Sequence, residues 1–247
     1  MSTKFFMLNS IKAILLGCPG SGKGTLGQRI STFFSIPVLS TGKLLRARFP
    51  HEEKDHSSGI DNGMLIEDEK IISILKETLI KKEYSHGVIL DGYPRTIRQA
   101  KLLDDETKEN GTHVVILDVI VDAKIAIKRI VGRFMCSECD SIYNLFFKLP
   151  KSNSIILTHD MTVKDLLNGS SLCKCDNCGS ETFYNRKDDT EEIALKRYEE
   201  YVKNTLPLSE YYKDRRLYFN FDGNNSPQSL YDKVQKILQI RKNTPIH

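Results

Sequence analysis

Residues 17–25 read GCPGSGKGT. An apolar run at residues 11–16 precedes this stretch, and a helical pattern that reaches about residue 34 follows it. A glycine-rich turn between a strand and a helix is the setting that a phosphate-binding loop requires. The glycines let backbone N–H groups converge on phosphate oxygens, the helix N-terminus adds partial positive charge, and Lys23 supplies a full charge. The stretch therefore predicts a phosphate-binding loop in an α/β fold.

The rest of the chain alternates apolar runs with helical patterns, which is typical of an α/β fold with a parallel sheet. The pattern predicts strands at residues 11–16, 37–39, 88–90, 114–119 and 217–221. It predicts helices that begin after the loop and at residues 67, 97 and 122, and a long charged helix over 188–213. Asp122 is suited to cap its helix, Pro207 to bend or break the long one, and Pro227 to open the last helix.

The composition limits the classes of protein to consider. The chain has 247 residues, of which 40% are hydrophobic and 28% charged, as in globular proteins. Its net charge of +4 is too small to indicate a nucleic-acid partner. No apolar stretch approaches the roughly 18 residues that cross a bilayer, and residues 1–10 are too short for a signal peptide. We expect no nucleic-acid or membrane partner and a cytoplasmic location, with the mitochondrial matrix as the alternative.

One detail of the loop narrows the class of nucleotide-binding protein. The usual motif places Ser or Thr directly after the lysine to hold Mg²⁺, but Gly24 stands there and Thr25 comes one residue later. This GxPGxGKGT pattern resembles that of nucleoside monophosphate kinases. Asp91, at the end of the predicted strand 88–90, is the carboxylate expected near the Mg²⁺ ion. The residues predicted to hold the triphosphate in the loop are Gly20, Ser21, Gly22, Lys23, Gly24 and Thr25.

Three blocks resemble the AMP site of the adenylate kinase family, and the resemblance extends over nearly the whole chain. They read LSTGKLLR at residues 39–46, GMLI at 63–66 and DGYPRTIRQA at 91–100. The resemblance implies that Thr41 and Gln99 lie at the adenine, while Arg46 and Arg95 hold the AMP phosphate. By the same resemblance the AMP-binding residues are Thr41, Arg46, Met64, Leu65, Ile66, Gly92, Tyr93, Pro94, Arg95, Gln99, Arg186 and Arg197.

Three further blocks resemble the donor side of the same family. They read RIVGR at residues 129–133, NRKDD at 185–189 and LKRY at 195–198. The resemblance implies that Arg129 stacks on the base of the triphosphate and that Arg133 reaches its phosphates. It implies a catalytic set that consists of Lys23, Arg95, Arg133, Arg186 and Arg197. We interpret Arg48 and Arg98 as surface residues.

Elementary chemistry agrees with an arginine-rich site. Two polyphosphates repel each other, and the attacking AMP phosphate is already an anion that needs little help from a base. Phosphoryl transfer therefore depends mainly on positioning and charge neutralisation. Arginine suits both tasks, because each guanidinium presents a planar fork of donors to phosphate oxygens.

Five of the six cysteines fall in one segment of the chain. CSEC at residues 136–139 and CDNC at 175–178 look like two copies of one knuckle, and Cys173 is a spare. Two such turns offer four tetrahedral thiolate ligands, as in a closed structural zinc site. The lid of many adenylate kinases carries such a zinc, so we predict Zn²⁺ on Cys136, Cys139, Cys175 and Cys178. Iron, free thiols and a degenerate site are the alternatives. The metal would hold together a lid too small to form a core of its own.

These patterns lead to one prediction of architecture and function. We expect a P-loop three-layer α/β fold with a parallel sheet, a small AMP-binding flap and a zinc-containing lid. The core would comprise residues 1–40, 70–132 and 186–247, the flap 41–69 and the lid 133–185. The resemblance implies a monomer that transfers the terminal phosphoryl of ATP to AMP with Mg²⁺, giving two ADP.

Two other functions stay open from the sequence. A GTP:AMP phosphotransferase could use the same scaffold, because Thr41 and Gln99 concern the acceptor and not the donor. A catalytically weak, AMP-binding regulatory protein is the second alternative. It is motivated by Lys43, which stands where the family commonly has an Asp that is thought to hold waters of the Mg²⁺ ion, and by a short segment between Arg46 and Gly63.

Overall fold

A five-stranded parallel sheet organises the larger part of the protein. The computed structural model describes residues 11–48, 68–108, 114–152, 162–168, 173–224 and 227–242. The described residues contain eight strands in two sheets. They are β1 (Ile11–Gly17), β2 (Val38–Ser40), β3 (Val88–Asp91), β4 (Val115–Ile120), β5 (Arg133–Cys136), β6 (Ile142–Asn144), β7 (Phe183–Tyr184) and β8 (Tyr218–Asp222). The sheet has the order β2-β3-β1-β4-β8, so the first strand lies at its centre.

Nine α-helices accompany these strands in the described residues. They are α1 (Lys23–Phe34), α2 (Thr41–Arg48), α3 (Asp68–Leu79), α4 (Ile97–Lys108), α5 (Ala123–Val131), α6 (Val163–Asn168), α7 (Glu191–Glu200), α8 (Pro207–Tyr212) and α9 (Pro227–Lys242). None of them is long and apolar enough to span a membrane.

The sheet is buried between two helical layers. Successive side chains of a strand point to opposite faces, and β1 divides accordingly: Ile14 and Leu16 belong to one hydrophobic cluster, Ala13 and Leu15 to the other. The first cluster packs against α3, α4 and α8, the second against α1, α5 and α9. This is the predicted three-layer α/β fold. Because all five strands are parallel, their carboxyl ends meet at one edge of the sheet.

The long helix predicted over residues 188–213 is divided in the structure. Helix α7 begins only at Glu191, after Thr190, whose side chain accepts a hydrogen bond from the backbone N–H of Ile193 at 3.3 Å. A π-helical turn over Tyr201–Thr205 follows α7, and Pro207 then occupies the first turn of α8. Proline lacks the N–H that continues a helix, and it is tolerated in the first turn. A new helix therefore begins at Pro207. The predicted cap of α5 is present, since Asp122 accepts from the N–H of Lys124 at 2.8 Å.

The cysteine-rich unit consists of a second, antiparallel sheet, helix α6 and the two cysteine pairs at residues 136–139 and 175–178. Strand β5 pairs with β6 on one side and β7 on the other. Phe134, Tyr143 and Leu145 pack there with Val163 and Leu166 of α6, and each of the five is at most 4% exposed. The expectation that this unit is too small for a core of its own is therefore wrong. The inserted segment between the two cysteine pairs supplies part of the missing apolar surface.

The two-sided burial of the parallel sheet gives a test of the fold. Leu90 of β3 is 0% exposed, whereas Leu102 of α4 is 40% exposed. Leu90→Ala should lower the free energy of unfolding by about 2–5 kcal/mol, because it leaves a cavity in a close-packed interior. The matched Leu102→Ala should change it by no more than about 0.5 kcal/mol. Urea unfolding measures both, and equal effects would contradict this account of the sheet.

Candidate active site

One large cleft opens at the carboxyl edge of the parallel sheet. Its volume is about 1300 Å³, which exceeds the range of about 300–1,000 Å³ that is usual for one small ligand. The phosphate-loop residues line it, together with Asp91 and most of the predicted arginines. The cleft also extends to the cysteine-rich unit, which contributes Asp140, Asn144 and Phe147. Its size and lining suit two polyanionic ligands.

The loop at residues 17–25 has a conformation that requires glycine. Gly20 has φ of +80°, and a Cβ there would lie 2.2 Å from the carbonyl oxygen of Ala126 in α5. Gly22 has φ of +94° and forms the N-cap of α1. The loop is therefore pressed against α5, and its backbone N–H groups stand at a helix N-terminus where anions bind.

Lys23 is held inside this loop. Its Nζ donates to the carbonyl oxygens of Gly17 and Cys18, both at 2.7 Å, and to the hydroxyl of Ser21 at 3.3 Å. Burial lowers the pKa of Lys23, although the charge of Asp91 acts in the opposite direction. The ammonium group is thus positioned where a phosphate oxygen can replace carbonyl partners.

Asp91 lies at the end of β3, next to the phosphate loop. A Cβ on Gly24 would lie 3.8 Å from Asp91 Oδ2, so the carboxylate directly faces the start of α1. Its oxygens are the type of ligand that Mg²⁺ prefers. The neighbouring backbone is fixed by Thr41, whose hydroxyl donates to the carbonyl oxygen of Gly92 at 2.9 Å.

Arg95 is fixed on the same side of the cleft. Its Nε donates to the carbonyl oxygen of Gly92 at 2.8 Å, and its own carbonyl accepts from the hydroxyl of Thr205 at 2.9 Å. Burial lowers the pKa of Arg95, and the charges of Arg197 and Arg46 lower it further. The π-helical turn therefore fixes the backbone of Arg95, and the carbonyl oxygen of Gly92 fixes its guanidinium.

Two buried carboxylates hold two other arginines of the cleft. Asp189 accepts from Nε of Arg133 at 2.7 Å and from its Nη2, and Asp188 accepts from Nη2 of Arg197. Both aspartates are at most 6% exposed. Burial lowers the pKa of Arg133, but the bond and charge of Asp189 hold it above its usual value. The sequence alone gives these aspartates no role, because the spacing of residues 188 and 189 does not show that they pair with Arg133 and Arg197.

Arg186 has a lowered pKa because it is partly buried and lies near other arginines. Burial and the charges of Arg133 and Arg46 lower its pKa to about 10. Burial also lowers the pKa of Arg46. Both side chains line the cleft. Like charges near one another repel, so phosphate groups would be favourable partners for this part of the cleft.

Arg129 stands at the far end, beyond the phosphate loop. Its Nη1 donates to the carbonyl oxygen of Gly223 at 2.9 Å, and its guanidinium lies 5.5 Å from the ring centre of Phe147. Burial lowers the pKa of Arg129. Phe147 is 50% exposed and lines the cleft. The sequence gives no signal for this ring, because Phe147 is one of two adjacent phenylalanines in the apolar stretch IYNLFFKLP at residues 142–150 and no spacing distinguishes it.

Some predicted AMP residues are not part of the wall of the cleft. Tyr93 is buried in the hydrophobic core, and Gln99 is 0% exposed. The Gln99 amide accepts from the backbone N–H of Arg95 at 2.7 Å and donates to Asp68 at 2.6 Å. Met64, Leu65 and Ile66 lie outside the described residues. Gly92 and Pro94 do line the cleft. Arg48 and Arg98 form exposed ion pairs with Glu77 and Glu69, as expected of surface residues.

Lys43 faces the cysteine-rich unit. Its Nζ lies 3.2 Å from Oδ2 of Asp140, the residue that follows the first cysteine pair. The place of Lys43 in the sequence, where the family commonly has an Asp near Mg²⁺, predicts that its charge acts on this ion. The structure gives this charge a carboxylate partner across the cleft instead.

The four predicted cysteine ligands come together as expected. Their Sγ atoms all lie within 4.8 Å of one another, and two of the pairs are 3.5 Å apart. A tetrahedral ion with bonds of about 2.3 Å needs sulfur atoms about 3.8 Å apart, so the group fits a metal ion. Burial raises the pKa of Cys175, but the Tyr143 hydroxyl and backbone N–H groups outweigh it and lower this pKa to about 5. Cys173 is buried and does not belong to the group.

The fold and the cleft define the class of protein. A parallel α/β sheet, a glycine-rich loop with its lysine and a cluster of arginines together form the site of a phosphotransferase that acts on nucleotides. The comparisons with known proteins agree. A family model described as adenylate kinase matches residues 15–217.

Individual relatives extend the match to almost the whole chain. The adenylate kinase of Rickettsia africae is 36% identical over 230 residues, which cover 92% of this chain and 98% of the relative. That of Archaeoglobus fulgidus is 35% identical over 230 residues, with 92% and 97% covered. That of Enterococcus faecalis is 34% identical over 229 residues, with 91% and 97% covered. The chain belongs to the adenylate kinase family and is a phosphotransferase enzyme.

Because Arg133 is paired with a buried carboxylate, we expect that replacing one oxygen of Asp189 strongly lowers the stability of the fold. Asp189→Asn leaves the Arg133 cation without its buried partner and should lower the free energy of unfolding by about 3 kcal/mol. The control is Glu192→Gln, which breaks the exposed pair with Lys196 and should leave the free energy of unfolding nearly unchanged, because water and salt screen such a pair. Urea unfolding compares them. If Asp189→Asn is as mild as the control, the pair does not hold Arg133 in the way described.

Proposed function

We propose that the protein catalyses the reversible transfer of the terminal phosphoryl group of ATP to AMP, giving two ADP. The observation that carries this proposal is the convergence of five arginines on the cleft that contains the phosphate loop. The five are Arg46, Arg95, Arg133, Arg186 and Arg197. One triphosphate in a phosphate loop does not need so many cations, whereas two phosphate chains brought end to end do.

The donor occupies the side of the cleft formed by the loop and α5 in this proposal. The backbone of residues 20–25 and Lys23 would hold its phosphates, with Arg133 on the terminal group. Arg129 would stack on the base, and the nearby ring of Phe147 suits the same task. Mg²⁺ carried with the triphosphate supplies further charge neutralisation, and Asp91 is the carboxylate that would hold it.

AMP occupies the opposite side, between α2 and the end of β3. Arg46 and Arg95 would hold its phosphate, and Thr41 and Gly92 support the floor of this subsite. Gln99 would have to exchange its bond to Asp68 for one to the adenine, so its role stays a prediction. The same holds for residues 64–66.

The chemistry then requires little beyond alignment. An oxygen of the AMP phosphate, already anionic, attacks the terminal phosphorus of ATP. The new P–O bond forms as the bond to the β-phosphate oxygen breaks, and ADP leaves on the donor side. Arg95, Arg186 and Arg197 would neutralise the charge that spreads over the transferred group. Water must be excluded, since hydrolysis would otherwise compete.

The need to exclude water suggests that two parts of the chain cover the bound substrates. We assign residues 41–69 to a flap over AMP and residues 133–185 to a lid over the donor, with the remainder as the core. We further assign zinc to the four-cysteine group, because four thiolates at tetrahedral spacing are the ligands of structural zinc sites. The metal would be structural, since four protein ligands leave no open position for catalysis. The monomeric state and the cytoplasmic location stay predictions.

A coupled assay of ADP formation tests the proposed reaction. The protein with Mg²⁺, AMP and ATP should form ADP rapidly, and an AMP-free control should not. Turnover with GTP and AMP that exceeds turnover with ATP would transfer the proposal to the GTP:AMP reaction. Absence of transfer with either donor, in folded and metal-loaded protein, would refute the kinase function and support the regulatory alternative.

A pair of arginine variants sharpens this assay. Arg95→Lys should lower kcat by on the order of 10³-fold, because lysine cannot replace the fork of a guanidinium that neutralises a transferred phosphoryl group. Arg98→Lys is the matched control, since Arg98 is an exposed residue three positions away. Its kcat should equal that of the parent. Equal activity of both variants would remove Arg95 from the proposed site.

Metal analysis tests the assignment of zinc. The purified protein should contain one Zn²⁺ per chain. Cys175→Ser should lose it and lower the Tm, because metal binding is coupled to the folding of its site. Cys173→Ser, a buried cysteine two residues away and outside the group, should keep the metal. Iron in place of zinc, or full zinc content in Cys175→Ser, would contradict the assignment.

A further inference from the structure

An ion pair joins two parts of the protein that the proposed reaction requires to close over substrates. Lys43 belongs to α2, and Asp140 follows the first cysteine pair in the cysteine-rich unit. Their Nζ and Oδ2 atoms lie 3.2 Å apart, although 97 residues separate them in the chain. Both side chains are 51% exposed, so the pair lies at the mouth of the cleft rather than in a core.

The Lys43 side of this pair is linked to the proposed acceptor subsite. Helix α2 also carries Thr41 and Arg46, and residues three positions apart on a helix share one face. Lys43 and Arg46 therefore project together, and both line the cleft. The charges of Arg197 and Arg133 act on Arg46 from across the cleft, and the carboxylates of Asp188 and Asp189 oppose them. A carboxylate opposite Lys43 offsets positive charge that would otherwise oppose closure.

The Asp140 side is built to present its carboxylate. Asp140 has φ of +56°, a conformation that Asp tolerates better than most residues. Its Oδ1 accepts a hydrogen bond from the hydroxyl of Tyr184 at 3.0 Å, which leaves Oδ2 for Lys43. Tyr184 lies in β7 of the same unit. The carboxylate is thus oriented from within its own unit toward α2.

We propose that Lys43 and Asp140 are positioning residues that stabilise the closed arrangement of α2 and the cysteine-rich unit. Neither touches the reacting atoms. They act because their attraction exists only when the two parts meet across the cleft. The inference rests on the proposed function, and it adds a closing contact that does not depend on a nucleotide.

The size of the effect follows from the exposure of the pair. Exposed ion pairs contribute little, and their loss changes an equilibrium by about two- to fivefold. Loss of the pair should therefore weaken every ligand that requires closure by that factor, while kcat stays equal or rises because opening becomes easier. Raised ionic strength should reduce the difference, since salt screens exposed charges.

The experiment measures binding of the bisubstrate compound P1,P5-di(adenosine-5′) pentaphosphate by calorimetry at low salt, together with kcat and KM for AMP. Lys43→Met should weaken binding and raise the KM about two- to fivefold. Lys43→Glu should weaken binding more, because two carboxylates then face each other. The double variant Lys43→Glu with Asp140→Lys should restore the parent affinity. A merely structural role of Lys43 would not produce this recovery.

A matched control separates the proposal from a general effect of charge on α2. Arg48 lies on the same helix and pairs with Glu77 of α3, with exposures of 47% and 54%. Arg48→Met therefore removes an equally exposed pair that does not reach the cysteine-rich unit, and its affinity should match the parent. Zinc content is measured for the double variant, because Asp140 adjoins Cys139, while Lys43→Met leaves that region intact.

The outcomes are distinct. Equal binding by Lys43→Met and Arg48→Met, or failure of the double variant to recover with its metal present, overturns the role of the pair. Absence of binding by the unmutated protein instead overturns the proposed function and this inference with it.

Discussion

Repulsion between guanidinium groups is the constraint on which the rest of the structure depends. Two like charges 4 Å apart near a protein surface repel by about 4 kcal/mol, and the cleft gathers several cations. Asp188 and Asp189 compensate two of them from buried positions. Arg46, Arg95 and Arg186 keep pKa values lowered by burial and by their neighbours. Phosphate groups in the cleft would offset this repulsion, in line with the proposed reaction.

The fold serves this constraint by bringing distant segments to one edge. Five parallel strands bring their carboxyl ends together, so the phosphate loop after β1 and Asp91 at the end of β3 become neighbours. The close approach of Gly20 to α5 fixes the loop against the helix that carries Arg129. The π-helical turn after α7 contacts Arg95 through Thr205. Helices and strands from distant parts of the sequence thus carry the charged groups that line the cleft.

Prediction from the sequence succeeded where short-range spacing carries the information. The strands, the loop, the caps of the helices and the four cysteines follow from local periodicity and from turn chemistry, which depend on neighbouring residues. It failed where a contact between distant segments decides. The helix expected over residues 188–213 begins three residues late, after the cap at Thr190, and the side chains of Asp188 and Asp189 pair with Arg197 and Arg133. The cysteine-rich unit has a core because α6 packs Val163 and Leu166 into it.

The sequence by itself determined the class of fold, the phosphate loop, the set of arginines and the thiolate group. Each of these is encoded by residue types at fixed spacing along a strand, turn or helix. Only the tertiary structure decided which arginines are paired, that Gln99 is bound to Asp68, and that Lys43 meets Asp140 across the cleft. The physical reason is that a charge selects its partner by distance and burial in the folded chain, and neither quantity is contained in the spacing of residues along the sequence.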